Sequence, residues 1–422
     1  MYLERQLSNR IRRLFEHFPA IVLVGARQVG KSTLLRALFG GEHGADCVVF
    51  DPVLDIEQAR ADPELFFKNH RTPLILDEIQ YAPELVPTLK RLIDKNRKPG
   101  QYILTGSQQW GVLKTMSESL AGRAVVIELD GFALPELGGQ AHAPTWLASL
   151  LEKGPESLKQ QIPKRHSLHY PLYEQIWRGF LPEAQFLPQD LVPAFHASYR
   201  RTYIERDVRL LADVSDLHLF GRFVQLASAL TAQEINTSQL GRELGIAPQT
   251  ARRWLEVLKG TFQWFELPAF SRNAIKRVSL KSKGYISDTG MACSAQSLAT
   301  PNVLAGYPLW GALFESAVVA EIRKLSALLP VQPILHHWRS HGGAEVDVLI
   351  EYNGKFFPIE IKGTSRPTRR DTRGFVAFRE TYPHMEIMPG LIIAPAETFF
   401  AVSEVDYVMP WDWAYGMYSA DV

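Results

Sequence analysis

The sequence predicts an α/β chain of several modules, on three observations. A short apolar run at 21–24 leads into a glycine loop and then a leucine-rich helical pattern. A second apolar run at 74–76 ends in the acidic pair Asp77-Glu78. Far downstream, "AEVDVLIEYNGKFFPIEIK" at 344–362 alternates in strand fashion about an Asn353-Gly354 turn. At 422 residues the chain exceeds the size at which one core keeps growing, so a division is expected. The composition shifts place the modules at 1–140, 141–215, 216–290 and 291–422.

With 46 Lys+Arg against 45 Asp+Glu, attraction to nucleic acid has to come from local patches and not from the whole-chain charge. Cys47 and Cys293 lie far apart and outside any metal or redox spacing. That fits a reduced, cytoplasmic setting. No apolar run approaches the ~20 residues of a spanning helix. The opening "MYLERQLSNRIRRLFEHF" carries charges throughout and no signal-like apolar core. No membrane association is expected.

"AIVLVGARQVGKSTLLRALFG" contains Gly25-x-x-x-x-Gly30-Lys31-Ser32 between a buried strand and a helix start. This is the P-loop context, in which loop amides and a helix N-terminus face phosphate oxygens. Gly25, Ala26, Arg27, Gln28, Val29, Gly30, Lys31, Ser32 and Thr33 are the expected nucleotide-binding run for ATP. Lys31 is expected to reach the β and γ phosphates, and Ser32 to ligate Mg²⁺. Asp77 at a strand tip would hold the same Mg²⁺, directly or through water, while Glu78 would polarise the attacking water. The strand "YILTGS" would bring Thr105 to Ser107 to the γ-phosphate, with Ser107 as sensor.

The stretches "GARQVGKST", "LDEIQ", "LTGSQQ" and "SESLAGRA" together resemble AAA+ family ATPases related to the origin-recognition and STAND branches. The resemblance covers the first third of the chain and implies an arginine that touches nucleotide in cis or from a neighbouring subunit. Arg123 of "LAGR" is one candidate and Arg206 of "TYIERDVR" the other; a surface ion pair is the alternative role for each. It also implies homo-oligomers.

The stretch at 138–167 is rich in Gly, Pro, Ser and charge, and reads as a boundary or loose insertion. Helical patterns follow, expected to form a lid or docking layer over the nucleotide. "EINTSQLGRELGIAPQTARRWLEVLKG" at 234–260 then reads as a helix-turn-helix: Ser238 caps a first helix, Gly245 turns, and Pro248 opens a second helix bearing Gln249, Thr250, Arg252 and Arg253. Two strands of a wing are expected after it. Residues 241–283 hold nine Lys/Arg against three Asp/Glu. Contact with DNA and coupling to another protein both fit that asymmetry.

In the hairpin, Val346, Val348 and Ile350 follow half-buried strand grammar. Asp347 and Glu360-x-Lys362 do not, because charges inside an apolar run must pair or bind a metal. The arrangement resembles the PD-(D/E)xK nuclease fold. That resemblance implies that Asp347 and Glu360 ligate Mg²⁺, that Lys362 activates water, and that Glu315 of "WGALFESAVVAEIRKL" completes the metal site. The family's proline before the Asp is replaced here by Glu345-Val346. The segment "KGTSRPTRRDTRG" carries five Lys/Arg against one Asp, which suits a phosphate-facing loop and equally a solvated one.

The fold class is therefore a P-loop AAA+ parallel-sheet domain, a helical and winged-helix segment, and a PD-(D/E)xK nuclease-like α/β domain. The expected function is ATP-driven binding and processing of DNA, branched or single-stranded. The rivals are a nucleotide-controlled switch or scaffold whose later modules bind protein, and a transcription regulator using the winged helix alone.

Overall fold

The computed structural model describes residues 2–40, 44–50, 55–107, 120–159, 164–203, 208, 216–273 and 280–414. It is a mixed α/β structure, with a parallel-sheet nucleotide-type domain followed by helical and sheet modules. The first sheet contains β1 (Ala20–Val24), β2 (Asp46–Val49), β3 (Leu74–Asp77), β4 (Tyr102–Gly106) and β5 (Ala124–Glu128), in the order β2-β3-β4-β1-β5. Every pairing is parallel. β1, β3 and β4 are buried along their whole length, as continuous apolar runs in a covered parallel sheet should be. Their carboxyl ends therefore lie side by side, the place where open parallel sheets bind ligands.

The stretch expected to be loose holds a packed helix, Trp146–Lys153, whose Trp146, Leu147, Leu150 and Leu151 are buried. Its cap is Thr145, which accepts from Ala148 N at 3.2 Å. Burial of that apolar face outweighs the flanking Gly and Pro. Just beyond it, β6 (Lys164–Arg165) pairs with β17 (Trp413–Ala414), tying this segment to the final module.

The middle module runs helix Leu217–Ala229, β7 (Gln233–Glu234), helix Thr237–Leu244, helix Pro248–Gly260, β8 (Trp264–Leu267) and β9 (Lys283–Ile286). The strands form an antiparallel sheet in the order β7-β9-β8. The helix pair falls where the sequence puts it, with one difference: the first cap is Asn236, which accepts from Gln239 N at 3.2 Å, and not Ser238. Asn236 is extended and adjacent to the first helical residue, as a cap must be. Gly245 ends that helix at φ 69°.

The final module opens with helix Trp310–Ser326, followed by β10 (Ile334–Arg339), β11 (Glu345–Tyr352), β12 (Lys355–Ile361), helix Arg373–Thr381, β13 (Glu386–Ile387), β14 (Leu391–Ala394), β15 (Phe400–Ala401) and β16 (Tyr407–Pro410). The sheet order is β10-β11-β12-β14-β16-β15, with β13 beside β12. The first two pairings are antiparallel, and those of β14 with β12 and β16 are parallel. Asn353 and Gly354 both have positive φ, 50° and 77°, the two-residue turn that this dipeptide favours.

β11 departs from the half-buried expectation: Val346 through Ile350 are all buried. Val348, Ile350 and Ile359 join the core of helix Trp310–Ser326, while Val346 and Leu349 join Phe375 and Phe378 of helix Arg373–Thr381. The hairpin is the middle of a two-faced sheet. Among the described residues, no helix is long and apolar enough to cross a membrane.

Candidate functional site

Two polar constellations lie within these frames. The first is at the carboxyl ends of β1, β3 and β4. Gly25 has φ 151°, and a Cβ there would meet the Leu129 carbonyl oxygen at 2.1 Å, so only glycine fits the turn. Gln28 (φ 61°) and Gly30 (φ 92°) complete the loop that delivers the chain to helix Lys31–Phe39. Ala26 and Val29 are buried beneath the loop and Thr33 is exposed on the first helical turn. The Lys31 ammonium is turned into the loop, donating to the carbonyls of Gly25 (3.0 Å) and Ala26 (2.9 Å). Arg27 donates to the Tyr81 hydroxyl at 2.9 Å.

Ser32 Oγ donates to Asp77 Oδ2 at 2.6 Å, and Thr105 donates to the other oxygen of Asp77. Thr105 Oγ1 in turn accepts from Glu78 N at 2.9 Å. Glu78 stands at φ 59°, in the left-handed region. Its carboxylate accepts from Gln80 Nε2 and from Ser107 Oγ, the latter at 3.1 Å. Burial alone would raise the Glu78 pKa. The Lys31 charge, the Gln80 hydrogen bond, Arg27 and Ser107 together outweigh it and hold the carboxyl below its usual range. The result is an ionised carboxylate beside a hydroxyl–carboxylate pair.

The expected Mg²⁺ fits here by its donor chemistry. Ser32 and Asp77 supply two hard oxygens already in contact, and slight separation would admit a cation with oxygen ligands at about 2.0–2.1 Å.

Three partners of this site were not foreseen. Arg5, buried to 4% exposure, donates to the Val29 carbonyl of the loop at 2.8 Å and to Asp130 O at 2.6 Å, and pairs with Glu136 at 3.0 Å. Nothing local marks it, since it precedes Val29 by 24 residues. Gln80 had a faint signal as a polar residue two beyond Glu78. Tyr199, on helix Val192–Thr202, reaches the Arg27 carbonyl at 3.4 Å and accepts from Gln263 at 2.9 Å, so it links the loop to the middle module.

The two candidate arginines fare differently. Arg123 borders the amino end of the sheet, beside Ala20, and pairs with Asp94 at 2.6 Å. It faces away from the loop of its own chain, because the phosphate end is the opposite edge of β1. Strand direction therefore sets it at the edge of the sheet opposite its own loop. Arg206 lies outside the described residues. On helix Pro248–Gly260, Gln249, Arg252 and Arg253 are exposed and Thr250 is half-buried, while Ala251, Trp254 and Leu255 face the core.

The second constellation gathers on β11. Asp347 and Val348 together stand opposite His337 alone, a bulge in the pairing with β10. Asp347 Oδ2 accepts from Ile361 N at 2.9 Å. Its other oxygen meets Lys283 Nζ at 2.9 Å, and the same ammonium contacts Glu315 at 2.7 Å and Glu345 at 3.0 Å. Tyr285 donates to Glu315 at 2.8 Å. Glu360 pairs instead with Lys362 at 2.6 Å, and its second oxygen is buried without a hydrogen-bond partner.

Burial, then the Asp347 charge, push Glu315 up to about 8 against the pull of Lys283. Burial alone would push the Lys283 pKa down, but Asp347 and its other acidic neighbours overcome this and hold the ammonium charged.

The three carboxylates expected to share one metal are ion-paired here, Glu315 and Asp347 with Lys283 and Glu360 with Lys362. Among the described residues no three acidic, His or Cys groups are arranged to hold a metal. The physical reason is Lys283, whose ammonium sits among the carboxylates, and Lys362, which takes Glu360 for itself. In sequence Lys283 was one of many basic residues, and nothing in its neighbourhood distinguishes it.

Residues 17–138 match the profile of an AAA domain, residues 170–302 that of a domain of unknown function (DUF8612), and residues 310–414 that of a second such domain (DUF4143). The uncharacterized protein Mb2031c of Mycobacterium bovis is 28% identical over 97% of this chain and 83% of its own length. The uncharacterized protein Rv2008c of Mycobacterium tuberculosis matches to the same extent. Among solved structures, the Thermotoga maritima RuvB Holliday junction branch migration motor is 14% identical, covering 66% of this chain and 95% of that one, with a TM-score of 0.28. The profile match at residues 17–138, with the glycine loop and parallel sheet, makes the first module a P-loop AAA-like domain.

Proposed function

We propose that this chain hydrolyses ATP and uses the energy to bind and process DNA, branched or single-stranded. The observation that carries the ATPase half is the pairing of Ser32 with Asp77 beside an ionised Glu78 held by Gln80 and Ser107. In this reading Lys31 turns from the loop carbonyls to the phosphates. Ser32 and Asp77 would hold Mg²⁺, whose charge would offset that of the phosphates. Glu78 accepts the proton of the attacking water, and Ser107 lies beside it as sensor.

The DNA half rests on the middle module. Its order of helix, strand, two helices and two strands supports the winged-helix reading, and exposed Arg242, Arg252, Arg253 and Arg272 supply local positive charge. The final module supports the nuclease-like reading by its helix, three antiparallel strands, crossover helix and parallel strand. With its carboxylates ion-paired, that module grips DNA in this state and does not cut it. The nucleotide-controlled switch is favoured by one observation, the Lys283 contact that joins the middle and final modules.

The experiment is DNA affinity against salt, for wild type and for Arg252→Ala/Arg253→Ala. Phosphate contacts make affinity fall with salt, and losing two of them should flatten the slope by about 2. Binding that ignores salt would favour the switch.

A further inference from the structure

Lys283 belongs to β9 of the middle module, yet its ammonium lies inside the acidic cluster of the final one. An ammonium has three N–H donors. Here each has one carboxylate: Glu315 at 2.7 Å, Asp347 at 2.9 Å and Glu345 at 3.0 Å. The residue is 4% exposed, so its charge survives burial only through these partners. A second observation lies beside it, on a carboxylate close enough to feel the charges of Asp347 and Glu315. Glu360 is 8% exposed, and its Oε2 has no hydrogen-bond partner among the described residues. An unpaired buried carboxylate oxygen is costly unless something else takes it up.

The two modules are stitched beside this contact. Phe270 N donates to His337 O at 2.7 Å, and His337 N donates to Pro268 O at 3.0 Å. Phe270 is buried in the final module's core. His337 is also the residue opposite the bulge that aims Asp347. Lys283 is thus delivered from a paired strand beside this stitch, and withdrawal of its side chain is the smallest movement that opens the cluster.

We propose that Lys283 is a tethered cation standing where a divalent metal would sit, so that the carboxylate cluster binds metal only when this side chain is withdrawn. The inference rests on the reading of the final module as nuclease-like and adds how its site is kept closed. Glu315 and Asp347 each give the ammonium an oxygen that a metal would need as a ligand. The two cations exclude one another by repulsion as well as by space.

Mn²⁺ binding, read by electron paramagnetic resonance on the full chain without nucleotide, tests this. Wild type should show no Mn²⁺ that depends on Asp347. Lys283→Met should gain a site at least about a hundredfold tighter, from the loss of a like charge at contact distance. Lys283→Met/Asp347→Asn should lose it again, which separates it from any Mn²⁺ held by Ser32 and Asp77. If Lys283→Met does not fold, Lys283→Met/Glu345→Gln removes one uncompensated charge and carries the same comparison.

An Asp347-dependent Mn²⁺ in wild type as tight as in the variant overturns the proposal and leaves the nuclease-like reading standing. No Asp347-dependent Mn²⁺ in any folded variant overturns both.

Discussion

Replacing Glu78 by Gln isolates the one charge that the account assigns to water activation. Gln has the same size, tolerates the same backbone, and can still accept from Ser107 Oγ, now 3.1 Å from the carboxylate. Asp77, Ser32 and Thr105 keep their mutual hydrogen bonds. Nucleotide binding should persist. What disappears is basicity, because the amide oxygen cannot take a proton from water, whereas the native carboxyl is held ionised by Lys31, Gln80, Arg27 and Ser107 against its burial. A positioned general base is worth about 10²–10⁴ in rate, so turnover should fall by that factor, or about 3–5 kcal/mol in barrier. Phosphate release measures turnover, and a fluorescent ATP analogue measures binding in the same preparation. Turnover within about tenfold of wild type would refute the assignment of Glu78 as the base.

Three further outcomes follow from particular contacts. Arg5→Met leaves Glu136 and the Val29 carbonyl without their buried partner, so urea denaturation should show a loss of about 3–5 kcal/mol together with weaker nucleotide binding; a loss below about 1 kcal/mol would contradict the bracing role. Burial pushes His166 down to about 4, and its Nδ1 has no hydrogen-bond partner among the described residues. Between that value and the unfolded value of about 6.5 the unfolded chain binds more protons, so stability is full above about pH 6.5 and falls towards pH 4 by up to about 3 kcal/mol. His166→Gln should flatten that part of a melting-temperature profile, and an unchanged slope would assign it elsewhere. Finally, Arg123 stands at the sheet edge opposite its own loop, so the proposed finger role runs across a subunit boundary; sizing with a non-hydrolysable ATP analogue should show association, and a monomer that hydrolyses ATP would exclude this role.

The nucleotide loop was legible because its chemistry is local. Gly25, Gly30, Lys31 and Ser32 are fixed by spacing within one turn, and Asp77-Glu78 by the end of an apolar run. The Asn353-Gly354 turn was legible for the same reason. Arg5 and Lys283 were not, because each acts on residues far along the chain, and a lone basic side chain carries no mark of its partner. Asp347 was legible as an anomaly, but its aim comes from a bulge that depends on the register with β10. The burial of both faces of β11 likewise depends on two helices separated from it in sequence, which period-two alternation cannot reveal. Trp146–Lys153 was hidden by its composition, since flanking Gly and Pro masked a short apolar helix.

In the proposed function, ATP turnover at Lys31, Asp77 and Glu78 is coupled to DNA. The direct test is ATP hydrolysis by the full chain, alone and with single-stranded, duplex and four-way DNA, with Lys31→Ala as the control. Turnover is expected that Lys31→Ala abolishes and that branched or single-stranded DNA raises above the level with duplex. No turnover under any of these conditions, or turnover that no DNA alters, would contradict it.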